Sequence, residues 1–230
     1  MAPPETGPAG RWEGRLEAPP VPRILRVHGY RDPARVRRPI LRAAEAAAAL
    51  APDVAAPVAV WRRFSIAALE PEALHLSSGV SFSGASFART LRNCTEVAVF
   101  ILTLGERLDE EISARMQDEP VEALFLDTAG WLSVERATRD LARHLDQVLG
   151  PELRTGVRLG PGYDYRGEEA RRSWPLEEQH ALFSLFVPGE PPVRLLESCA
   201  MTPKMSRSGL FGLLAAGTAA TDENAGAFPR

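Results

Sequence analysis

Residues 158–163 read RLGPGY, and residues 195–209 read LLESCAMTPKMSRSG. In the first stretch Pro161 presets the φ of one central turn position and Gly162 accepts the positive φ of the next. These are the demands of a type II turn. Gly160 has no Cβ, so a ligand or a second backbone can come close. Arg158 offers a planar five-donor fork suited to a carboxylate, and Tyr163 offers a ring face and a hydroxyl. A tight turn beside a surface arginine meets the same spacing, so these residues alone leave both readings open.

Read together, the two stretches resemble the signature motifs of the activation domain of cobalamin-dependent methionine synthase, roughly R-x-x-P-G-Y and L-T-E-S-x-x-M-x-P-x-x-S-V-S-G. Arg158, Pro161, Gly162 and Tyr163 match the first. Leu195, Glu197, Ser198, Met201, Pro203, Ser206, Ser208 and Gly209 match the second, with Leu196 in place of threonine and Arg207 in place of valine. The resemblance is closest to stand-alone forms of that domain, where W-P-L-E-x-Q soon follows the turn. Here WPLEEQ occupies residues 174–179, after an insert at 164–173. Further upstream, VFILTLGERLD (99–109) and LDTAG (126–130) are similar to other family patterns, so the likeness runs from about residue 24 to about residue 213.

This resemblance implies a single α+β domain over residues 23–214, with a twisted, mixed and largely antiparallel sheet flanked by helices. It implies that the chain binds S-adenosylmethionine. The residues concerned are Arg158, Gly160, Pro161, Gly162 and Tyr163 in the first stretch, and Glu197, Ser208, Gly209, Leu210 and Phe211 in the second. Arg158 would meet the ligand carboxylate or nearby polar atoms, and Tyr163 would sit near the ligand and a corrinoid face. Full-length family members carry a W-Y-F-like group after the last glycine. Here Leu210-Phe211-Gly212 stands there, and only Phe211 keeps an aromatic face. Cobalamin would be held by a partner, since the chain has no D-x-H-x-x-G pattern of its own. The implied role is a stand-alone factor that reactivates a separate cobalamin-binding methionine synthase or corrinoid protein, with flavodoxin or ferredoxin as electron donor. The alternative is a module that recognises a corrinoid protein and no longer binds the small ligand.

Composition bounds these readings. The chain has 230 residues, 45% hydrophobic and 25% charged, values ordinary for a globular protein. A net charge of -3 gives no broad basic surface for nucleic acid or an anionic membrane. Two cysteines, Cys94 and Cys199, cannot make a disulfide framework and read as reduced thiols of a cytoplasmic protein. No apolar run approaches the roughly 20 residues of a membrane helix.

Local patterning outlines the elements. Residues 1–22 lack apolar periodicity and read as a disordered arm; residues 215–230 read as a flexible tail. RILRVHGY (23–30) reads as a strand. Asp32-Pro33 opens a helix to about residue 50, with Pro39 as a possible kink. Strands are expected over 58–67 and 73–82, with a turn signal at Ser77-Ser78-Gly79, then a short helix near 84–93. EVAVFILTL (96–104) suits a central strand covered on both faces. A short amphipathic helix over 106–116 precedes the longest helix, 120–149, bounded by proline and Gly150-Pro151. Its first half, apolar almost all round, reads as buried. Ala129 and Gly130 invite a neighbour against the backbone. Residues 156–159, 193–196 and 210–214 read as strands and 176–186 as a helix.

Other chemistries find little support. Neither cysteine belongs to a C-x-x-C pair and the four histidines are scattered, which disfavours zinc or iron. There is no G-x-S-x-G elbow and no G-x-G-x-x-G spacing. Asp127, in apolar company, must be paired, protonated or facing a pocket, and Glu197 on its expected strand poses the same question.

Overall fold

A computed structural model describes residues 8–163 and 174–217. The expectations for the 164–173 insert and most of the C-terminal tail fall outside that range. The chain folds as α+β, with a mostly antiparallel seven-stranded sheet flanked by helices.

Strand β1 is Ala9–Glu13, β2 Val58–Glu70, β3 Ala73–Leu76, β4 Ser81–Ser83, β5 Glu96–Thr103, β6 Leu153–Leu159 and β9 Ser206–Ala215. The main sheet runs β4-β3-β2-β5-β9-β6, with β1 paired to the first half of β2. Strands β7 (Arg194–Leu195) and β8 (Met201–Thr202) form a separate hairpin. The helices are α1 (Val21–Val27), α2 (Arg38–Val54), α3 (Ser86–Thr90), α4 (Glu106–Arg115), α5 (Pro120–Val148) and α6 (Gln179–Phe183).

The apolar run of β5 becomes the centre of the sheet, and side-chain alternation divides it between two cores. Ala98, Phe100 and Leu102 pack with α1, α2, α4 and α5. Val97, Val99 and Ile101 pack on the opposite face with the β3–β4 hairpin, α3 and the α6 region. Trp174 lies fully buried in this second core, against Phe82 at 4.8 Å and Phe87 at 5.2 Å between ring centroids.

Several local expectations change. Residues 9–13 are not disordered: they add a strand to the edge that β2 offers, and Trp12 packs toward the helical core. Composition within an arm does not register an unpaired edge elsewhere in the chain. The segment 23–30 is not a strand. Pro22 in its first turn presets helical φ, and Val21, Ile24, Leu25 and His28 follow i, i+3, i+4, i+7 spacing. Asp32 caps only a 3-10 turn, accepting from the Ala34 amide at 3.0 Å. Helix α2 begins afresh at Arg38, so Pro39 falls in its first turn and kinks nothing. The 73–82 span folds into the β3–β4 hairpin about the Ser77-Ser78-Gly79 turn.

Helix α5 is buried on most sides from Ala123 to Thr138, as its apolar first half implies, and only its first turns leave apolar side chains out, with Val121 and Leu124 44% and 50% exposed. Gly130 does admit a neighbour, since a Cβ there would lie 2.8 Å from Leu108 of α4 and 3.2 Å from Met205.

Candidate functional site

Strand β6 pairs with β9 only as far as Leu159 opposite Leu210. The chain then turns through residues 160–163, and no described strand covers the Ser206–Ser208 end of β9 on that side. Gly162 has φ 75°, the positive value that a type II turn requires. The turn presses on the strand backbone. A Cβ on Gly209 would lie 2.3 Å from the Leu159 carbonyl oxygen, and one on Gly160 would lie 3.1 Å from that of Ser208. Both positions need glycine for close approach.

A pocket of about 320 Å³ opens at this uncovered edge. Pro161, Gly162 and Tyr163 form one wall, Leu176 and Gln179 a second, and Cys199, Ala200 and Met201 a third; Lys204, Ser206, Arg207 and Ser208 complete it. The size falls within the range of small-ligand sites. A larger groove of about 760 Å³, around Phe183, Pro188 and Pro192, brings together fewer polar groups.

The walls are held by polar contacts, buried at Gln179 and exposed at Lys204. Gln179, 3% exposed, donates from Nε2 to the Cys199 carbonyl and accepts from Ser208 Oγ, both at 2.8 Å. Cys199 sits in the turn that joins β7 to β8, with φ 63° and its amide donating to the Leu196 carbonyl at 2.9 Å. Asp127 forms an ion pair with Lys204 Nζ, and the Lys204 amide donates to Asp109 at 2.6 Å. This answers the question posed by Asp127: its partner is a lysine supplied by the second stretch.

Behind the pocket lies a cluster of charges. Glu135 on α5 is 8% exposed and pairs with Arg207 Nη2, while Arg158 Nη1 stands 4.0 Å from its other oxygen. The guanidinium carbons of Arg158 and Arg207 lie 5.9 Å and 5.7 Å from the Tyr163 ring centroid, within cation–π range. Burial by itself would lower the Arg207 pKa. The hydrogen bond to Glu135, the adjacent Tyr163 phenol and the Glu135 charge outweigh it and hold the pKa above its ordinary value. Arg207 is therefore a fixed cation.

The structure brings together Gly160, Pro161, Gly162, Tyr163 and Ser208, with Arg158 beside Tyr163. Three expected site residues lie elsewhere. Glu197 is exposed near the hairpin tip rather than on a strand. Leu210 is fully buried in the second core. Phe211 is 3% exposed in the helical core, stacked on Phe100 at 4.7 Å, so it does not present an aromatic face to the pocket. The alternation of β9 turns it toward α5. Glu135, Gln179, Lys204 and Arg207 join the site without having been singled out as ligand contacts. Of these, Gln179 and Arg207 carried a signal, as the end of WPLEEQ and as a departure from the second pattern.

Among the described residues, no group of three or more His, Cys, Asp or Glu side chains is placed to hold a metal, and no helix is long and apolar enough to cross a membrane.

No protein-family model matches the chain, and no curated protein matches it. Solved structures do match. One is the crystal structure of the MetH reactivation domain bound to AdoHcy, with a TM-score of 0.60 and 16% identity, covering 97% of this chain and 84% of that one. At that identity the likeness speaks for the fold alone. The turn at Tyr163, the strand at Ser208 and the sheet that joins them thus belong to a chain with the fold of the MetH reactivation domain.

Proposed function

We propose that this chain binds S-adenosylmethionine in the pocket at the open edge of β9 and serves as an activation factor for a cobalamin-dependent methionine synthase or related corrinoid methyltransferase. One observation carries the reading. Two stretches far apart in sequence, ending at Tyr163 and Ser208, close on a single pocket backed by arginines and floored by a strand edge. The bound AdoHcy of the structurally similar MetH domain supports the ligand class.

In this reading a partner's corrinoid supplies the cobalt chemistry: one-electron reduction of Co(II), with an electron from a flavodoxin or ferredoxin, and acceptance of the sulfonium methyl group. The protein's own residues bind and orient. Arg158 and Arg207 hold the anionic end of the ligand, the 160–163 turn brings backbone close to it, and Tyr163 stands at the rim where the partner approaches. That division of labour fits a site without a catalytic dyad.

A second reading is favoured by one observation. Among the described residues, positions 210–212 offer no adenine platform, since Phe211 is in the core and Leu91 and Cys94 occupy the space a side chain at Gly212 would need. The chain would then recognise a corrinoid protein without the small ligand.

Calorimetric titration with S-adenosylmethionine, alone and with a cobalamin-binding methyltransferase module, separates the two. Saturable heat with the nucleoside supports the first, and binding of the module alone supports the second. Arg158→Ala should weaken nucleoside binding by about tenfold or more, as expected for a lost charged hydrogen bond, with an unchanged circular dichroism spectrum. Normal binding by that variant would remove Arg158 from the site.

A further inference from the structure

The net charge of -3 conceals a separation of charge on the helical side of the sheet. Residues 23–42, from α1 through the start of α2, hold seven arginines, all exposed, against one aspartate, a net +6 with His28 neutral. Residues 106–122, from α4 into the first turn of α5, hold seven acids against two arginines, a net -5. Among the described residues no ion pair uses any of those seven exposed arginines, and none uses Glu110, Asp118 or Glu122. Like charges crowded in one lobe repel, and an opposite lobe laid on them offsets the repulsion.

The end of α1 brings the two lobes side by side. His28 meets Thr128 Oγ1 at 2.7 Å and the Phe125 ring edge-on at 4.8 Å. Apolar side chains stand out to either side of this contact. Val27 and Tyr30, 52% and 37% exposed, flank His28 in sequence. The exposed Val121 and Leu124 lie two turns and one turn before Thr128, on the same stripe of α5. Exposed apolar groups between charged lobes have the layout of an interface, apolar at its centre and polar at its rim.

The occupant follows from the charges. A two-fold axis through the apolar centre lays the basic lobe of one copy on the acidic lobe of the other, and the same again in reverse. A nucleic acid or an anionic membrane would satisfy the arginines but be repelled by the acids beside them. We propose that the chain forms an isologous dimer through this face. Val27, Tyr30, Val121 and Leu124 pack at its centre against the second copy, ringed by reciprocal pairs of arginines and acids. None of these residues lines the pocket at the edge of β9, so the dimer is independent of what that pocket binds.

Sedimentation equilibrium on the full chain tests it. The wild type should dimerise at low salt with a Kd below about 100 µM, and at least about tenfold more weakly at about 1 M salt, where screening acts beyond about 3 Å. Leu124→Glu, at an exposed position, should abolish association with an unchanged circular dichroism spectrum. Two charge-reversed variants give the decisive comparison: Arg31→Glu with Arg35→Glu, and Asp118→Arg with Glu122→Arg. Each should associate more weakly than the wild type. An equimolar mixture of the two should associate more tightly than either alone, because one pair of lobes is then restored. A wild type that stays monomeric up to about 100 µM overturns the proposal, and retention of that monomer by heparin would give the arginines to a polyanion instead. A dimer that ignores Leu124→Glu, or a mixture no tighter than its components, overturns it as well.

Discussion

Ser208 Oγ donates to the side-chain oxygen of Gln179 at 2.8 Å, joining the helix that follows WPLEE to the strand that ends the second stretch. The same amide donates to the Cys199 carbonyl, so one side chain fixes three segments around the pocket. Every polar atom of that link is buried, so its worth lies largely in the cost of leaving any of them unpaired.

Gln179→Leu keeps the side-chain volume and removes the link. The Ser208 hydroxyl and the Cys199 carbonyl are left without partners, at a cost of about 1–3 kcal/mol for each buried group. Urea denaturation should show a loss on the order of 2–4 kcal/mol with an unchanged m-value. A loss under about 0.5 kcal/mol would mean that the link does not hold the wall.

Gly209→Ala should be more damaging than a surface glycine substitution. Its Cβ would lie 2.3 Å from the Leu159 carbonyl oxygen, so β6 and β9 must part where the turn begins. Overpacking of this kind costs about 1–3 kcal/mol. A melting temperature several degrees below wild type checks it, and Gly150→Ala, with open space at its Cβ, gives the comparison for positive φ alone.

Trp174→Ala should cost about 3–5 kcal/mol, the range for emptying a buried aromatic site. The Trp174 backbone carbonyl also accepts from the Gly162 amide at 2.8 Å, so the main chain that the ring holds against the core is the one that meets the turn. Chemical denaturation measures the loss.

Cys94 should be nearly inert to alkylation. Burial pushes its thiol up to about 11. At pH 8 only about 0.1% is thiolate, against about a quarter of an ordinary cysteine. The reaction with iodoacetamide should therefore run at least about a hundredfold slower than for free cysteine and rise with pH up to the folded pKa. A rate near that of free cysteine would contradict the burial.

Legibility varied with the range of the interaction. The β5 run, the punctuation of α5 and the Pro161-Gly162 turn depend on neighbours a few residues away, and all three were readable. RILRVHGY alternates over a short span and so reads as a strand, whereas Val21–Val27 is helix α1. The decisive residue, Pro22, lies just before it. The pocket's proline–glycine wall could be anticipated from resemblance, whereas the pairing of Glu135 with Arg207 could not: many carboxylates line α5, and only its packing across β9 selects one.

Sequence by itself determined the elements whose signals are local, namely turn chemistry, helix ends and the doubly apolar central strand, together with the two stretches that frame the site. Tertiary structure alone decided which side chains face the pocket. Along a strand the faces alternate at every residue, so the pairing of β9 with β5 sends Phe211 onto Phe100 in the core while Ser208 meets Gln179. The early end of β6 then leaves an open edge where Arg207 and Tyr163 line one pocket.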